Sequence, residues 1–525
     1  MAQTKKTTKT TTKKTTPKVQ TEQVKPQQVE EKVIEDVQPV VVQEVAPVVE
    51  VVRKKKVVFI ATEAAPFIAT GGLADVIGSL PKAIAKNGNF EVGVILPLYS
   101  KISREWRDKF KYLTNFNVQL SWRWQYCGVF TYEYEGVKFY FVDNEYYFRR
   151  EGNIYGHYDD AERFSFFSKA AIDVIQNLNL CPDVIHCHDW QTAASIIYLK
   201  SLYFTNDVLR NAKAVFTIHN IEYQGKYGLE LFSDLFGFPY SVRQLVEYDK
   251  CINLMKGAIE MADRVSTVSP TYANEIKNNY FAHGLAPIIN KNAWKLRGIL
   301  NGIDYEFYNP ANDIHLFGHY TPDDMSGKAV CKEELQKMLG LPQRKDVPLI
   351  AMITRLVSHK GLDLVKCVIE NILSDDVQFV ILGTGDSMYE NFFTNIANAY
   401  WDKCRTIIAF NSALSRQIYS GADIFLMPSK MEPCGLSQMI ASRYATVPVV
   451  REVGGLNDSI KPFDGNGGNG FTFKDYNAHD MLYVVNQAIR HYRDTNLWDS
   501  LRKISMQVDF SWKAQAYEYE KMYND

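Results

Sequence analysis

Short, unbroken apolar runs recur along this chain, each closing on a glycine or a polar tip and giving way to residues spaced as a helix. Lys56-Val57-Val58-Phe59-Ile60-Ala61-Thr62 is the first, and Val92-Gly93-Val94-Ile95-Leu96-Pro97 follows at strand–helix–strand spacing. Asp183 to Cys187, Ala212 to Ile218 and Val265 to Pro270 continue this series; Pro348 to Arg355, Val377 to Gly385, Thr406 to Phe410 and Ala422 to Pro428 form a second. An unbroken apolar run reads as a strand buried on both faces, and alternation with helices makes the sheet parallel and covered on both sides. Two such series predict an α/β fold of two doubly wound sheets facing a shared cleft. At 525 residues the chain is too long for one ordinary domain.

In such sheets ligands bind where a strand's carboxyl end meets a helix's amino end. The most informative loop of this kind is Ser429-Lys430-Met431-Glu432-Pro433-Cys434-Gly435-Leu436-Ser437, with a helix predicted over Leu436 to Tyr444. Free N–H groups of Gly435 to Ser437 suit an anion such as phosphate. Glu432 cannot bind phosphate and is better placed against sugar hydroxyls or a developing positive charge. Gly71-Gly72 likewise opens a helix whose Leu73, Val76, Ile77 and Leu80 form one stripe, a nucleotide-binding beginning. Gly383-Thr384-Gly385 follows a strand but lacks the third glycine of a dinucleotide fingerprint, which argues against a dehydrogenase.

Two strand ends carry His188-Asp189-Trp190 and His219-Asn220. Cys181, His186 and His188 invite a zinc reading, but no second ligand cluster appears, so no metal is expected. From Trp106 to Phe148 the period changes to two, with Leu120, Trp122, Trp124 and Tyr126 alternating, which predicts hairpins. Tyr146, Tyr147, Phe148 and Tyr155 form an aromatic cluster able to stack on sugar rings, although such stripes more often serve the core.

Composition removes other classes. A formal net charge of -1 argues against a nucleic-acid grip. No apolar run reaches the roughly 18 residues of a membrane span. The eight cysteines show no paired spacing, so reduced thiols in a cytoplasmic protein are expected. Residues 1–53, Thr/Lys-rich and then Val/Glu/Gln-rich, lack the mixed apolar content that ordering requires and read as a disordered tail.

Taken together, Thr70-Gly71-Gly72-Leu73-Ala74-Asp75-Val76, His188-Asp189-Trp190, His219 to Gly225, Leu300-Asn301-Gly302-Ile303-Asp304, Arg355 with Lys360-Gly361, and Glu432-Pro433-Cys434-Gly435-Leu436 resemble the bacterial and plant glycogen (starch) synthases. Thr267 to Tyr272 and Phe510-Ser511-Trp512 agree, so the resemblance spans the chain from about Lys54 onward. It implies a GT-B fold: two Rossmann-like doubly wound domains, an interdomain cleft, and a C-terminal helix crossing back to the first domain. The expected divisions are an N-terminal acceptor-side domain over 54–300, a nucleotide-sugar domain over 301–505 and the returning helix over 506–525. The implied reaction transfers glucose from ADP-glucose to the non-reducing end of an α-1,4-glucan, with retention and without a cofactor. Oligomeric state is not legible.

The resemblance assigns catalytic roles to Glu432, Arg355, Lys360 and His188, the two cations neutralising the departing diphosphate. It places Gly71, Gly72, Asp75, Asn220, Asn301, Gly383, Gly385, Phe410, Cys434, Gly435, Leu436 and Ser437 at the substrates. His188 and Asn301 would hold glucosyl hydroxyls, Gly383 to Gly385 and Gly435 to Ser437 would supply backbone donors, and Phe410 would stack on adenine where some members have Tyr. Ser437 stands where Thr is common. The family's Lys before Thr-Gly-Gly-Leu is Ala69 here. That loss leaves open a weakly active or non-catalytic glucan-binding homologue; a related transferase using UDP-glucose is a further alternative, because the sequence does not spell out the adenine pocket.

Overall fold

The computed structural model describes residues 17, 18, 20–24, 26, 53–465 and 467–525. The described residues between 17 and 26 carry neither helix nor strand and are exposed, and the rest of the expected 1–53 tail, apart from Arg53, lies outside the described residues.

Two sheets organise the remainder. The first is built from β1 (Lys55–Ile60), β2 (Phe90–Pro97), β3 (Lys111–Leu120), β4 (Arg123–Tyr134), β5 (Val137–Asp143), β6 (Val184–His188) and β7 (Lys213–Ile218). A small separate sheet holds β8 (Lys226–Tyr227), β9 (Glu247–Tyr248) and β10 (Cys251–Asn253); β11 (Arg264–Thr267) and β12 (Leu296–Gly298) then complete the first sheet. Its order is β12-β11-β7-β6-β1-β2-β5-β4-β3, parallel except where β4 runs antiparallel to β5 and β3. The second sheet comprises β13 (Leu349–Ile353), β14 (Gln378–Leu382), β15 (Cys404–Ile407), β16 (Ile424–Met427), β17 (Val447–Arg451) and β18 (Phe471–Phe473), in the order β15-β14-β13-β16-β17-β18, all parallel.

The continuous apolar runs become the central strands for the reason their composition implies. Val57 to Ile60 and Leu349 to Met352 are at most 1% exposed, because helices cover both faces of each sheet. In each sheet the chain first builds outward on one side and later returns to the other: β1 is flanked by β2 and β6, and β13 by β14 and β16. The gaps β1/β6 and β13/β16 are therefore the topological switch points, where loops diverge and open a crevice.

The last helix runs Trp512–Asn524, and Thr495–Gln507 is a helix of its own on the second lobe. The expected returning helix over 506–525 is thus shorter, beginning after the crossing. There Ile303 bridges Ser511, and a side chain at Gly302 would lie 2.8 Å from the Trp512 nitrogen. The Trp512–Asn524 helix docks on the first lobe: Glu520 accepts from Asn87 and Asn89 at 2.7 and 2.8 Å, and Lys213 donates to the Tyr523 carbonyl at 2.8 Å.

Three local expectations change. The helix after the Glu432 loop is Ser437–Arg443, with Leu436 as its cap. The apolar stretch 265–270 is a strand only to Thr267; Pro270 begins a helix, as its fixed φ favours at a first turn. Of the aromatic cluster, Tyr147 and Phe148 are core, Tyr146 faces solvent and Tyr155 is half-buried; Trp124 and Tyr126 of the hairpin are exposed as well.

Candidate active site

Sequence-predicted site residues lie at both switch points. On the second lobe, β13 ends at Ile353 and hands the chain to Thr354-Arg355, while β16 ends at Met427 and leads to Ser429 and Glu432. Lys360 closes a short 3₁₀ turn, and Gly361 follows at φ +74, where an added Cβ would lie 2.0 Å from the Pro428 carbonyl. Only glycine allows that turn to sit so close to the β16 loop. Lys430 N–H donates to the His359 carbonyl at 2.9 Å and joins the two loops.

The result is a charge pair at the crevice. Lys360 Nζ lies 2.7 Å from Glu432 Oε2, which also accepts from Ser429 Oγ at 3.0 Å, and both ionic side chains are largely buried. Arg355 is exposed, and its guanidinium forms no ion pair among the described residues. Burial, then Lys360 and Arg355, hold the His359 imidazole below its ordinary pKa, while Glu222 of the first lobe and Glu432 act in the opposite sense. Arg355, Lys360, Glu432 and Glu222 thus share one electrostatic neighbourhood between the lobes.

On the first lobe the β6 end presents His188. Its Nδ1 meets His219 Nε2 at 3.0 Å, and its Nε2 is buried without a hydrogen-bond partner among the described residues. Burial drives both imidazoles toward the neutral form, His219 to about 3. His186, on the same face of β6, is occupied by Tyr523 Oη at 2.8 Å and Thr217 Oγ1 at 2.6 Å. Asp189 accepts the backbone N–H groups of His219 and Asn220 at 2.8 and 3.4 Å, and burial raises its carboxyl to about 7. Asn220 spends its side-chain oxygen on the Glu222 N–H at 3.0 Å, so it shapes this tip.

Asn301 shows the same signature as His188. Its side chain lies beside the buried Cys434 thiol, and its Oδ1 is buried and unpartnered among the described residues. Burial pushes the Cys434 thiol up to about 12, so it is a neutral packing group there. An orphaned buried acceptor and an orphaned ring nitrogen cost stability unless something arrives to bond them.

The glycine loops divide by role. Gly383 N–H donates to the Ile407 carbonyl at 3.1 Å and Gly385 N–H to the Glu390 carboxylate at 2.8 Å. Their expected role as donors to a ligand is therefore unavailable in this arrangement. Added Cβ atoms would stand 1.8 Å from the Thr354 carbonyl and 2.3 Å from that of Leu356, so both let the β14 loop pack on the strand end bearing Arg355. The N–H groups of Gly435, Leu436 and Ser437, by contrast, meet no acceptor among the described residues. Gly72 faces that loop: a Cβ there would be 3.8 Å from Leu436 Cδ1. Ser269 Oγ donates to the Pro433 carbonyl at 2.8 Å, and Thr271 binds Asp458 at 2.7 and 2.8 Å, so the lobes touch at the site. Phe410, beyond β15, is 84% exposed, and the Ser437 hydroxyl lies beside that of Tyr419.

The sequence reading missed Glu63. It lies just past β1, 3% exposed, and accepts from Thr70 N–H at 2.5 Å, Thr70 Oγ1 at 2.7 Å and Tyr155 Oη at 2.6 Å. It therefore holds the Gly71-Gly72 loop. The available signal was a carboxylate directly after a buried run, which is costly unless bonded. Glu63 and Asp304 surround Asp75, and burial first, then these charges, raise the Asp75 carboxyl to about 7 from 3.8. Between those values the folded state binds the proton that the unfolded state releases, so stability falls as pH rises through the window. Asp75→Asn should match the parent near pH 4 and exceed it at pH 8, by on the order of 2–4 kcal/mol. Urea midpoints at the two pH values check this; equal differences at both would show that Asp75 titrates normally.

Two facing Rossmann-like lobes with anion-ready amides and cations at their switch points define a GT-B glycosyltransferase. Residues 56–291 match the starch synthase catalytic domain family, and residues 334–502 match glycosyl transferases group 1. Glycogen synthase of Anoxybacillus flavithermus is 45% identical over 90% of this chain and 98% of its own length; that of Clostridium novyi is 46% identical over 89% and 98%. The catalytic domain of starch synthase IV from Arabidopsis thaliana, solved bound to ADP and acarbose, superposes with a TM-score of 0.84 at 36% identity, covering 90% of this chain and 99% of that one. Sucrose-phosphate synthase from Thermosynechococcus elongatus shares the fold, with a TM-score of 0.56 at 14% identity over 90% and 98% of the two chains. The chain belongs to the glycogen/starch synthase family and is a glucan synthase.

Proposed function

We propose that the donor is ADP-glucose and that glucose passes, with retention, to the non-reducing end of an α-1,4-glucan. One observation carries this reading: the Lys360–Glu432 pair and the free Gly435–Ser437 amides on one lobe accompany the unpartnered His188 Nε2 on the other and Asn301 Oδ1 at the join. Arg355, Lys360 and the three amides neutralise the diphosphate as its bond to the sugar breaks. His188 and Asn301 bond glucosyl hydroxyls, and Glu432 stabilises the oxocarbenium character of the sugar while the leaving phosphate takes the acceptor's proton. Phe410 offers an open ring face to the base, and Asp75, with the Gly71-Gly72 loop, borders the sugar. ADP in the Arabidopsis relative supports an adenine nucleotide here. The expected division into lobes near residue 300 belongs to the same reading. All eight cysteines are free, which suits a reducing cytoplasm, and no helix among the described residues is long and apolar enough to cross a membrane.

Nucleotide release from ADP-glucose or UDP-glucose, with glycogen as acceptor, tests the proposal. Release from ADP-glucose alone is expected. Faster release from UDP-glucose would reassign the donor, and none from either, with glycogen still bound, would make the chain a binding homologue. Ala69 is exposed beside Thr70, so a lysine fits there. Ala69→Lys should raise kcat/KM about tenfold, a modest share of what one preorganised charge contact supplies. An unchanged rate would show that another group has taken over the missing cation's work.

A further inference from the structure

The two lobes meet through a pair of short helices that cap each other. Pro270–Glu275 follows β11 on the first lobe, and Gly454–Ser459 follows β17 on the second. The opening N–H groups of any helix lack partners within it. Here each helix finds an acceptor on the opposite lobe. Asp458, in the last turn of the second helix, accepts from Thr271 N–H at 2.8 Å and from Thr271 Oγ1 at 2.7 Å. Glu275, at the end of the first helix, accepts from Gly454 N–H at 3.0 Å. Asn457 Nδ2 adds a bond to Thr271 Oγ1 at 2.9 Å.

What this pair carries is the Glu432 loop. Gly455 N–H donates to the Glu432 and Pro433 carbonyls, both at 3.2 Å. An added Cβ at Gly454, whose φ is +45, would lie 2.0 Å from the Glu432 carbonyl, and one at Gly455 2.2 Å from that of Cys434. The second helix backs the loop this closely because it opens on two glycines. From the other side Ser269 Oγ, which accepts from Tyr272 N–H at 3.1 Å at the start of the first helix, donates to the same Pro433 carbonyl at 2.8 Å. The carboxylate loop is thus held between backbone of its own lobe and a side chain of the first. Glu275 leaves its Oε2 buried without a partner among the described residues, so this contact is a poor source of stability. What it does supply is a fixed bearing between the Gly454 amide and the first lobe.

We propose that Glu275, Thr271 and Asp458 are positioning residues for the transfer reaction: their contacts register the Glu432 carboxylate, on the second lobe, against the sugar-binding groups of the first. The inference rests on Glu432 stabilising the charge that develops on the sugar. It is tested by steady-state nucleotide release with Glu275→Ala and Thr271→Val, beside the conservative Glu275→Gln and Thr271→Ser. A displaced carboxylate weakens the transition state but leaves diphosphate binding by Arg355 and Lys360 intact. The first two variants should therefore lower kcat about tenfold to a hundredfold, with KM for the nucleotide sugar within about twofold. The conservative pair keeps the acceptor and the hydroxyl and should stay within about threefold of the parent kcat. Combined with Glu432→Gln, Glu275→Ala should cost no further rate, because residues that act as a unit are not additive. A full second loss in that double variant would overturn the proposal, as would a lowered melting temperature with kcat unchanged. If Glu432→Gln alone kept the parent rate, the role given to Glu432 would fall and this inference with it. An impaired Glu432→Gln beside an unimpaired Glu275→Ala and Thr271→Val would sink the positioning alone.

Discussion

Lys360→Ala is expected to lower kcat/KM for the nucleotide sugar by on the order of 10²–10³, the loss that follows removal of one preorganised charge partner of a transition state. Arg355→Ala should cost a similar factor, and the two variants differ in a way that separates chemistry from folding. Lys360 is buried against Glu432, so its removal leaves a buried carboxylate with only the Ser429 hydroxyl and lowers the melting temperature as well. Arg355 is exposed and forms no ion pair among the described residues, so its loss should leave melting unchanged. Lys360→Ala combined with Glu432→Gln should recover stability but not rate. Steady-state kinetics and calorimetry on the three variants check this. A loss below about tenfold for Arg355→Ala, or a rate recovered with stability, would mean that the cations act on the fold rather than on the leaving group.

A second large effect is expected far from the crevice. Lys332 Nζ lies 2.7 Å from Asp423 Oδ2, with side chains only 8% and 5% exposed. Asp423 also accepts the Leu349 N–H at 2.9 Å, and its backbone bonds both Leu349 and Val447, so it pins together the starts of β13, β16 and β17. Lys332→Met would strand that carboxylate inside the lobe and should destabilise the protein by about 3–5 kcal/mol. Adding Asp423→Asn should return part of the loss, because a neutral amide costs less to bury than an unpaired charge. Urea denaturation of the single and double variants gives the comparison. A loss under about 1 kcal/mol from Lys332→Met would place the pair in effective contact with water.

Much of the fold was legible because parallel strands buried on both faces must be apolar throughout, and each run from Val57 to Met427 says so without reference to its neighbours. The order of the strands was not legible. Nothing in Val184 to His188 or Ile424 to Met427 states that these segments return to the far side of the first strand of their sheet, and that return creates the crevice. Glu432, Lys360, Arg355 and His188 could be named from the motifs, but the Lys360–Glu432 contact spans 72 positions and depends on Gly361 lying under the Pro428 carbonyl. Glu63 escaped notice because its worth depends on Thr70 and Tyr155, brought to it by a loop and a helix start. The close packing of Gly383 and Gly385 on the Thr354 and Leu356 carbonyls was not legible, because a glycine's backbone freedom looks the same in sequence whether it serves a ligand or a close contact between loops.

By itself the sequence determined the class of architecture and the family, and supplied the residue types of the candidate site, because burial periodicity and residue chemistry are local properties. Only the tertiary structure decided which amides are free, which buried acceptors lack a partner, and which helices of the two lobes cap each other. Each of those depends on which distant segment occupies the neighbouring space, and no single stretch of chain encodes its own neighbours.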